Sequence, residues 1–471
     1  MIDGFNKEST TNKIIKMMKT KITILMAVLF VSFNIGFSQQ DEECMNNLSI
    51  FDGYVKSKKY DQAYEPWSIV RNKCPKFNRA IYAYGEKILK HKIENTAGAE
   101  QVAHINDLML LHDQSRANFS SKYDLGEVLV DKANLAYKYK KALGKSDNEL
   151  YGMFDGAFAK DIENFDDPKG LYTYFSLAVD LFDAGKMSAQ DMFDKYDDVM
   201  ERIENIISKS TNGLNKIVAK EEASESLTKR EKSLKKYYLS SLKAFEEQVI
   251  PSMDKKLGDR ATCDVLIPLY DKNYENNKND GVWLQRAMNR MYAKGCKEDP
   301  LFLKLVEQKN SIEPTADTSY YLYLLTGEQK YFDQTLDLEP DPLKKARLYK
   351  KLANELKSKG SYGRARQYYM ESMKLNPSDG SPYIAIAAMY AKSANNCGDS
   401  NFNKRAVFWL AASTAEKAGR IDSRLKSAAA KSATSYRASA PSKSDIFNEG
   451  NAGKTIKIGC WIGRSVTVPS I

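Results

Sequence analysis

Between Ala346 and Pro377, small and aromatic residues fall at the spacings that lock two antiparallel helices together. Tyr349, Leu352, Ala353 and Leu356 recur every three or four residues and form the inner face of one helix. Gly360 and Tyr362 make the turn, Ala365, Tyr369 and Ser372 face back from the next helix, and Pro377 ends the unit. The small residues let the axes approach closely while the aromatics fill the groove between them. The same face then returns in register: Tyr383, Ile386, Ala387 and Tyr390 stand 34 residues after Tyr349, Leu352, Ala353 and Leu356. A hairpin of this size cannot bury its apolar face alone, so such units must stack on their neighbours.

These residues resemble a tetratricopeptide repeat, which implies an all-α, tetratricopeptide-like α-solenoid. Cys44 to Pro75 fits the same unit through Tyr54, Tyr60, Ala63 and Trp67, and Asn78 opens another with Ile81, Tyr84 and Gly85. From residue 115 to 190 the signature fades but helical periodicity persists, with Gly126, Gly144, Gly156, Gly170 and Gly185 as punctuation. Ser188 is an N-cap for a heptad-like seam of Phe193, Tyr196, Met200, Ile203, Ile207, Ser210, Leu214 and Ile217. After the polar stretch Glu221 to Ser226, a second run carries Leu234, Tyr238, Leu242, Phe245 and Val249 as far as Pro251. This reads as a long antiparallel hairpin, either protruding from the array or stacked within it.

Regular hairpins resume at Cys263 and run to about residue 418, with an insertion that carries Cys397. Residues 422–437 read as a capping helix ended by Pro441. A Ser, Asn and Gly-rich linker then precedes a β-like stretch of Ile456, Ile458, Trp461, Val466 and Val468. The expected organisation is a signal peptide over 1–38, N-terminal helical hairpins over 39–187 and a long hairpin over 188–258. A C-terminal array with its cap follows over 259–440, and a linker with a small β-hairpin over 441–471.

Composition limits the function. The chain has 471 residues, 42% hydrophobic and 28% charged, and a formal charge of +10, of which +3 precedes residue 39. The remainder is a weak basic bias that argues against nucleic-acid binding. Lys19 and Lys21 precede an apolar run from Ile22 to Phe37 that ends at Gly36 and Ser38, the layout of an export signal cleaved near Ser38 or Gln39. No membrane span is expected after cleavage. All six cysteines lie beyond that segment, and an even number in an exported chain implies disulfides. Cys44 and Cys74 are 30 residues apart and Cys263 and Cys296 are 33 apart, each about one hairpin length, so each pair closes an open hairpin end. Cys397 is left to pair with Cys460.

A second resemblance rests on Lys58, Lys59, Tyr60, Ala63, Trp67, Cys74, Pro75, Ile81, Tyr82 and Gly85, with the Cys460 to Gly463 ending. These are similar to exported tetratricopeptide-repeat proteins of the Bacteroidota, which implies a periplasmic, outer-membrane or extracellular location and a binding role.

Chemistry is sparse. The three histidines, His91, His104 and His112, leave little for acid/base work, no C-x-x-C marks a metal, and no cofactor is expected. Gly453, Lys454 and Thr455 echo the end of a phosphate loop but lack its first glycine, since Asn448 stands there. The acidic pairs Asp166–Asp167 and Asp197–Asp198 read as solvated faces.

The binding surface of such an array is lined by first-helix residues pointing away from the seam: Arg347, Lys350, Asn354 and Lys357. Some members of the family grip a terminal carboxylate with a Lys and an Asn four residues apart, matched by Lys350 and Asn354. The Asn of the next repeat is here Ala385. The expectation is a non-catalytic adaptor in the cell envelope, binding protein or peptide segments of acidic character. The alternative is a holdase chaperone that uses the long hairpin to cradle unfolded chains.

Overall fold

Small residues at the seams decide how closely successive helices pair, and the computed structural model, which describes residues 42–470, is built from that pairing. The described residues form two compact units that divide between Lys186 and Met187. The expected signal segment lies outside the described residues.

In the first unit, helices 42–56, Tyr60–Lys73, Ala80–Asn95, Gly98–Asn118, Leu125–Lys138, Asp147–Lys160 and Pro168–Asp183 pack in chain order. Trp67 and Ile81 are wholly buried at the first seams, and the Trp67 Nε1–H donates to the Ile81 carbonyl at 2.7 Å. Phe154, Phe165 and Tyr174 stack further along, their centroids 6.2 to 6.4 Å apart. Of the five punctuating glycines, Gly144 and Gly185 end helices with φ of 62° and 67°, the left-handed region that glycine enters freely. Gly126 and Gly170 stand in the first turns of their helices, whereas Gly156 lies inside one, so the expectation of punctuation is corrected at Gly156.

The second unit opens with a 34-residue helix, Ala189–Glu222, whose N-cap Ser188 accepts from the Asp191 amide at 3.1 Å. Its buried stripe runs through Phe193, Val199, Ile203, Ile206, Leu214 and Ile217, with Arg202 and Ser210 as polar members. Thr228 and Glu231 form a capping box that starts the return helix, Lys229–Leu242.

The return helix does not stop at Pro251. It widens into a π-helical turn over Lys243–Val249 and continues as Ile250–Leu257. Proline has no N–H to bond and its ring crowds the carbonyl four residues back, here Glu247; a wider turn accommodates that loss without ending the helix.

This hairpin is packed against the array at several points. Arg290 pairs with Asp197, Arg286 with Asp198 at 2.9 Å, the Ser378 amide donates to Asn215 at 3.0 Å, and Arg424 pairs with Glu246. The array comprises Cys263–Asn277, Gly281–Ala293, Pro300–Ile312, Ala316–Thr326, Gln329–Leu338, Pro342–Ser358, Tyr362–Leu375, Ser381–Ser393, Asn401–Ile421 and Lys426–Ser439. Ala353, Ala365, Tyr369, Ile386 and Tyr390 share one core, as the 34-residue register predicts. The tetratricopeptide-like hairpins are therefore real packing units, and the long hairpin belongs to the same body. Among the described residues no helix is long and apolar enough to cross a membrane.

The stretch after Pro441, read from sequence as linker, contains a further helix, Lys443–Glu449, with a Ser442–Asp445 capping box. Strands Thr455–Ile458 and Arg464–Thr467 then pair antiparallel with Ile456 opposite Val466. Trp461, between them, sits against Tyr390 and Tyr362 at 5.4 and 5.6 Å and donates to Ser393 Oγ at 3.0 Å. The cysteine pairs Cys44–Cys74, Cys263–Cys296 and Cys397–Cys460 stand at bonding distance, which fits an oxidising compartment.

Cys397–Cys460 spans 63 residues and ties the β-hairpin to the array. Replacing both cysteines by serine should cost roughly 2–4 kcal/mol, chiefly by freeing the unfolded chain. Denaturant titration followed by Trp461 fluorescence measures it, and an unchanged midpoint would show the staple to be energetically idle.

Candidate partner-binding cavity in the C-terminal unit

Four residues were expected to line a binding face, and the helix Pro342–Ser358 carries them all. Asp341 caps it, accepting from the Leu343 and Lys344 amides at 2.8 and 2.9 Å. The burial of Leu343, Ala346 and Leu348 presses the helix into the unit and fixes where the polar residues emerge.

Lys350 Nζ lies 2.6 Å from Asp379 Oδ2 and 3.2 Å from Ser381 Oγ. Burial works to raise the Asp379 carboxyl, but Lys350 and the Ser381 donors outweigh it and hold the group below the usual range. Asn354 accepts from the Tyr369 hydroxyl, whose own pKa burial pushes up to about 12. The Lys–Asn pair that suggested a carboxylate clamp is thus engaged within the chain, each member holding a neighbouring element in place. Arg347 differs, being exposed and making no ion pair among the described residues. Lys357 lies one helical turn past Asn354, and neither of these two lines the cavity.

Arg347 and Lys350 line a cavity of about 370 Å³. One wall is the helix they sit on, with Ser372 and Asn376 of the next. The opposite wall is the long hairpin, through Ile207, Thr211, Leu242 and Glu246. Asp422 and Arg424 close an end, where Arg424 bonds Asp422 at 2.8 and 2.9 Å and also meets Glu246. The chain's own hairpin therefore covers part of the face on which a partner was expected, and the cavity is the space left between them. Its lining mixes cations, acids and hydroxyls over a small apolar floor, a composition suited to holding an extended polar segment.

Sequence reasoning missed Asp422, Arg424 and Glu246 altogether. Asp422 and Arg424 sit in an ordinary-looking polar stretch, and Glu246 is brought to them only by the fold, 178 residues away from Arg424. It also misread Asp197, which is not a solvated residue: its side chain is 13% exposed and is paired with the buried Arg290.

The first unit has a smaller cavity of about 180 Å³ lined by His112, Asp131 and Asn134. Burial lowers His112, and burial together with Glu86 and Glu127 pushes Asp131 up to about 7. No Ser, Thr or Cys lines this cavity. Among the described residues no three His, Cys, Asp or Glu converge to hold a metal ion.

No protein-family model matches this chain, and no curated protein matches it in sequence. Solved structures with a detectable likeness include a tetratricopeptide repeat protein from Parabacteroides merdae, at 10% identity and a TM-score of 0.25, covering 74% of this chain and 99% of that one. Yeast Tom70 is another, at 12% identity and a TM-score of 0.25, covering 87% of this chain and 83% of its own. Superpositions at this level carry no argument, and the fold rests on the hairpin packing described above.

Proposed function

We propose that this chain is an exported, non-catalytic scaffold of the Bacteroidota envelope type, which holds a segment of another protein in the cavity between its long hairpin and its C-terminal array. The proposal includes the five-part organisation, with a leader over 1–38, helical hairpins over 39–187 and 259–440, the long hairpin over 188–258 and the β tail over 441–471. Three cysteine pairs at bonding distance support export.

The observation that carries the binding role is Arg347, an exposed guanidinium with no ion pair among the described residues, lining a polar cavity whose other cations, Lys350 and Arg424, are paired. An unpaired, fork-shaped donor at such a place is available to a partner's carboxylate or carbonyls. Lys350 and Asn354 serve the site by shaping it.

The holdase reading requires a free arm with apolar faces. The long hairpin is instead held by Arg290, Arg286, Ser378 and Arg424, and its stripe of Phe193, Ile203, Leu214 and Ile217 is buried, which favours the scaffold.

A photo-crosslinking residue in place of Arg347, in the native host, should capture a few discrete partners, while the same probe at Lys357 should capture none. Arg347→Glu should reduce affinity recovery of those partners about tenfold by reversing that charge. Capture that is equal at both positions would overturn the assignment.

A further inference from the structure

We infer that the partner segment is acidic and enters along a lysine-lined groove on the long hairpin, a reading that rests on the scaffold function above. Lys232, Lys236 and Lys243 are spaced four and seven residues apart, which places them in one stripe along the return helix. All three are exposed, and none makes an ion pair among the described residues. Their neighbours are satisfied: Lys235 meets Glu221 and Lys220 meets Glu231, each at 2.6 Å. Glu221 and Glu231 are thus spent on other lysines, and the three cations of the stripe share the groove with the single acid Glu247.

The stripe borders a groove of about 480 Å³ whose other edge is Ser423 and Arg424. Arg424 and Glu247 line both this groove and the Arg347 cavity, so the two adjoin. The π-helical turn Lys243–Val249 forms the junction, with Lys243 on the groove side and Glu246 on the cavity side. Such turns interrupt a helix at a cost in regular hydrogen bonding and recur where a helix is shaped for binding.

Charge order identifies the occupant. The groove presents four lysines with Glu247 among them, whereas the cavity end adds Glu246, Asp379 and Asp422. A polynucleotide, charged at every residue, would meet those acids at the cavity end. A polypeptide with acidic side chains over the groove and neutral or basic ones beyond it matches both halves. Exposed contacts of this kind are individually weak and strongly screened, so binding should fall steeply with salt.

The test uses the full chain and fluorescence anisotropy with labelled hexaglutamate, hexaglutamine and a single-stranded oligothymidylate as probes. Hexaglutamate should bind at low salt and hexaglutamine should not. Replacing Lys232, Lys236 and Lys243 together by glutamine should weaken hexaglutamate about tenfold. Because all three side chains are exposed, the thermal transition of this variant should match that of the unaltered chain, which separates lost binding from lost folding. Absence of hexaglutamate binding, indifference to the triple replacement, or tighter binding of the oligonucleotide would each overturn the inference. If crosslinking at 347 still captures partners while hexaglutamate fails, the acidic chemistry is wrong and the scaffold reading survives; if both fail, both fall.

Discussion

Arg290→Ala should destabilise the C-terminal unit by about 3–5 kcal/mol, the range seen when one member of a buried ion pair is removed and its partner stays behind. Arg290 is 5% exposed, donates to the Phe193 carbonyl at 3.0 Å, bonds the Tyr270 hydroxyl and pairs with Asp197. Its guanidinium also lies 4.5 Å from the centre of the Phe193 ring. One side chain thus joins the long hairpin to two helices of the array, and truncation leaves Asp197, Tyr270 and a carbonyl without their donor.

The loss should also depend on pH. Burial pushes Asp197 up to about 6, against the pull of Arg290 and Arg286. Because the folded-state value lies above that of an unfolded aspartate, the stability this carboxyl contributes is complete below about pH 4 and is lost as pH rises through 6. Without Arg290 the charged form is less welcome still, so the gap between Arg290→Ala and the unaltered chain should widen from pH 5 to pH 8. Urea titrations across that range measure it. Arg290→Met combined with Asp197→Leu should restore most of the stability, since well-packed apolar residues commonly replace a buried pair at little cost. A gap that narrows with pH would refute the assignment of Asp197 as the responsible group.

That pair also shows what was legible in the sequence and what was not. Helix pairing from Ala346 onward could be read because its determinants are local: each small or aromatic residue meets a partner within one 34-residue period. The cysteine spacing could be read for the same reason, since a hairpin length brings its own ends together. Asp197 and Arg290 are 93 residues apart, and nothing near either announces the other. Lys350 looked free because its partner Asp379 belongs to the following turn, and Asn354 because Tyr369 was assigned only to the core. The helix Lys443–Glu449 was lost among serines and asparagines, residues that favour caps as much as coil. The candidate site therefore remained visible only as a face, of whose four residues Arg347 and Lys357 make no ion pair among the described residues.

The first unit offers a sharper test of seam packing, at Trp67 and Gly85. A Cβ added at Gly85 would fall 2.6 Å from Trp67 Nε1 and 2.7 Å from the adjoining ring carbons, well inside contact distance. The indole has nowhere to retreat. It is wholly buried, its N–H is committed to the Ile81 carbonyl, and the Arg71 guanidinium lies 5.0 Å from its centre, fixed in turn by Asp107 at 2.7 Å. Gly85→Ala should therefore cost about 2–3 kcal/mol by overpacking, more than the helix propensity it gains. Trp67→Ala should cost about 3–5 kcal/mol through the cavity it leaves. The two changes share one space, so they should not add: with the indole gone, the clashes at 2.6 and 2.7 Å go with it, and the double variant should be no less stable than Trp67→Ala alone. Denaturant titrations of the three variants close the cycle. Simple additivity would mean that Gly85 is required for its backbone and not for the approach of the two helices, and the close-packed seam would lose its explanation.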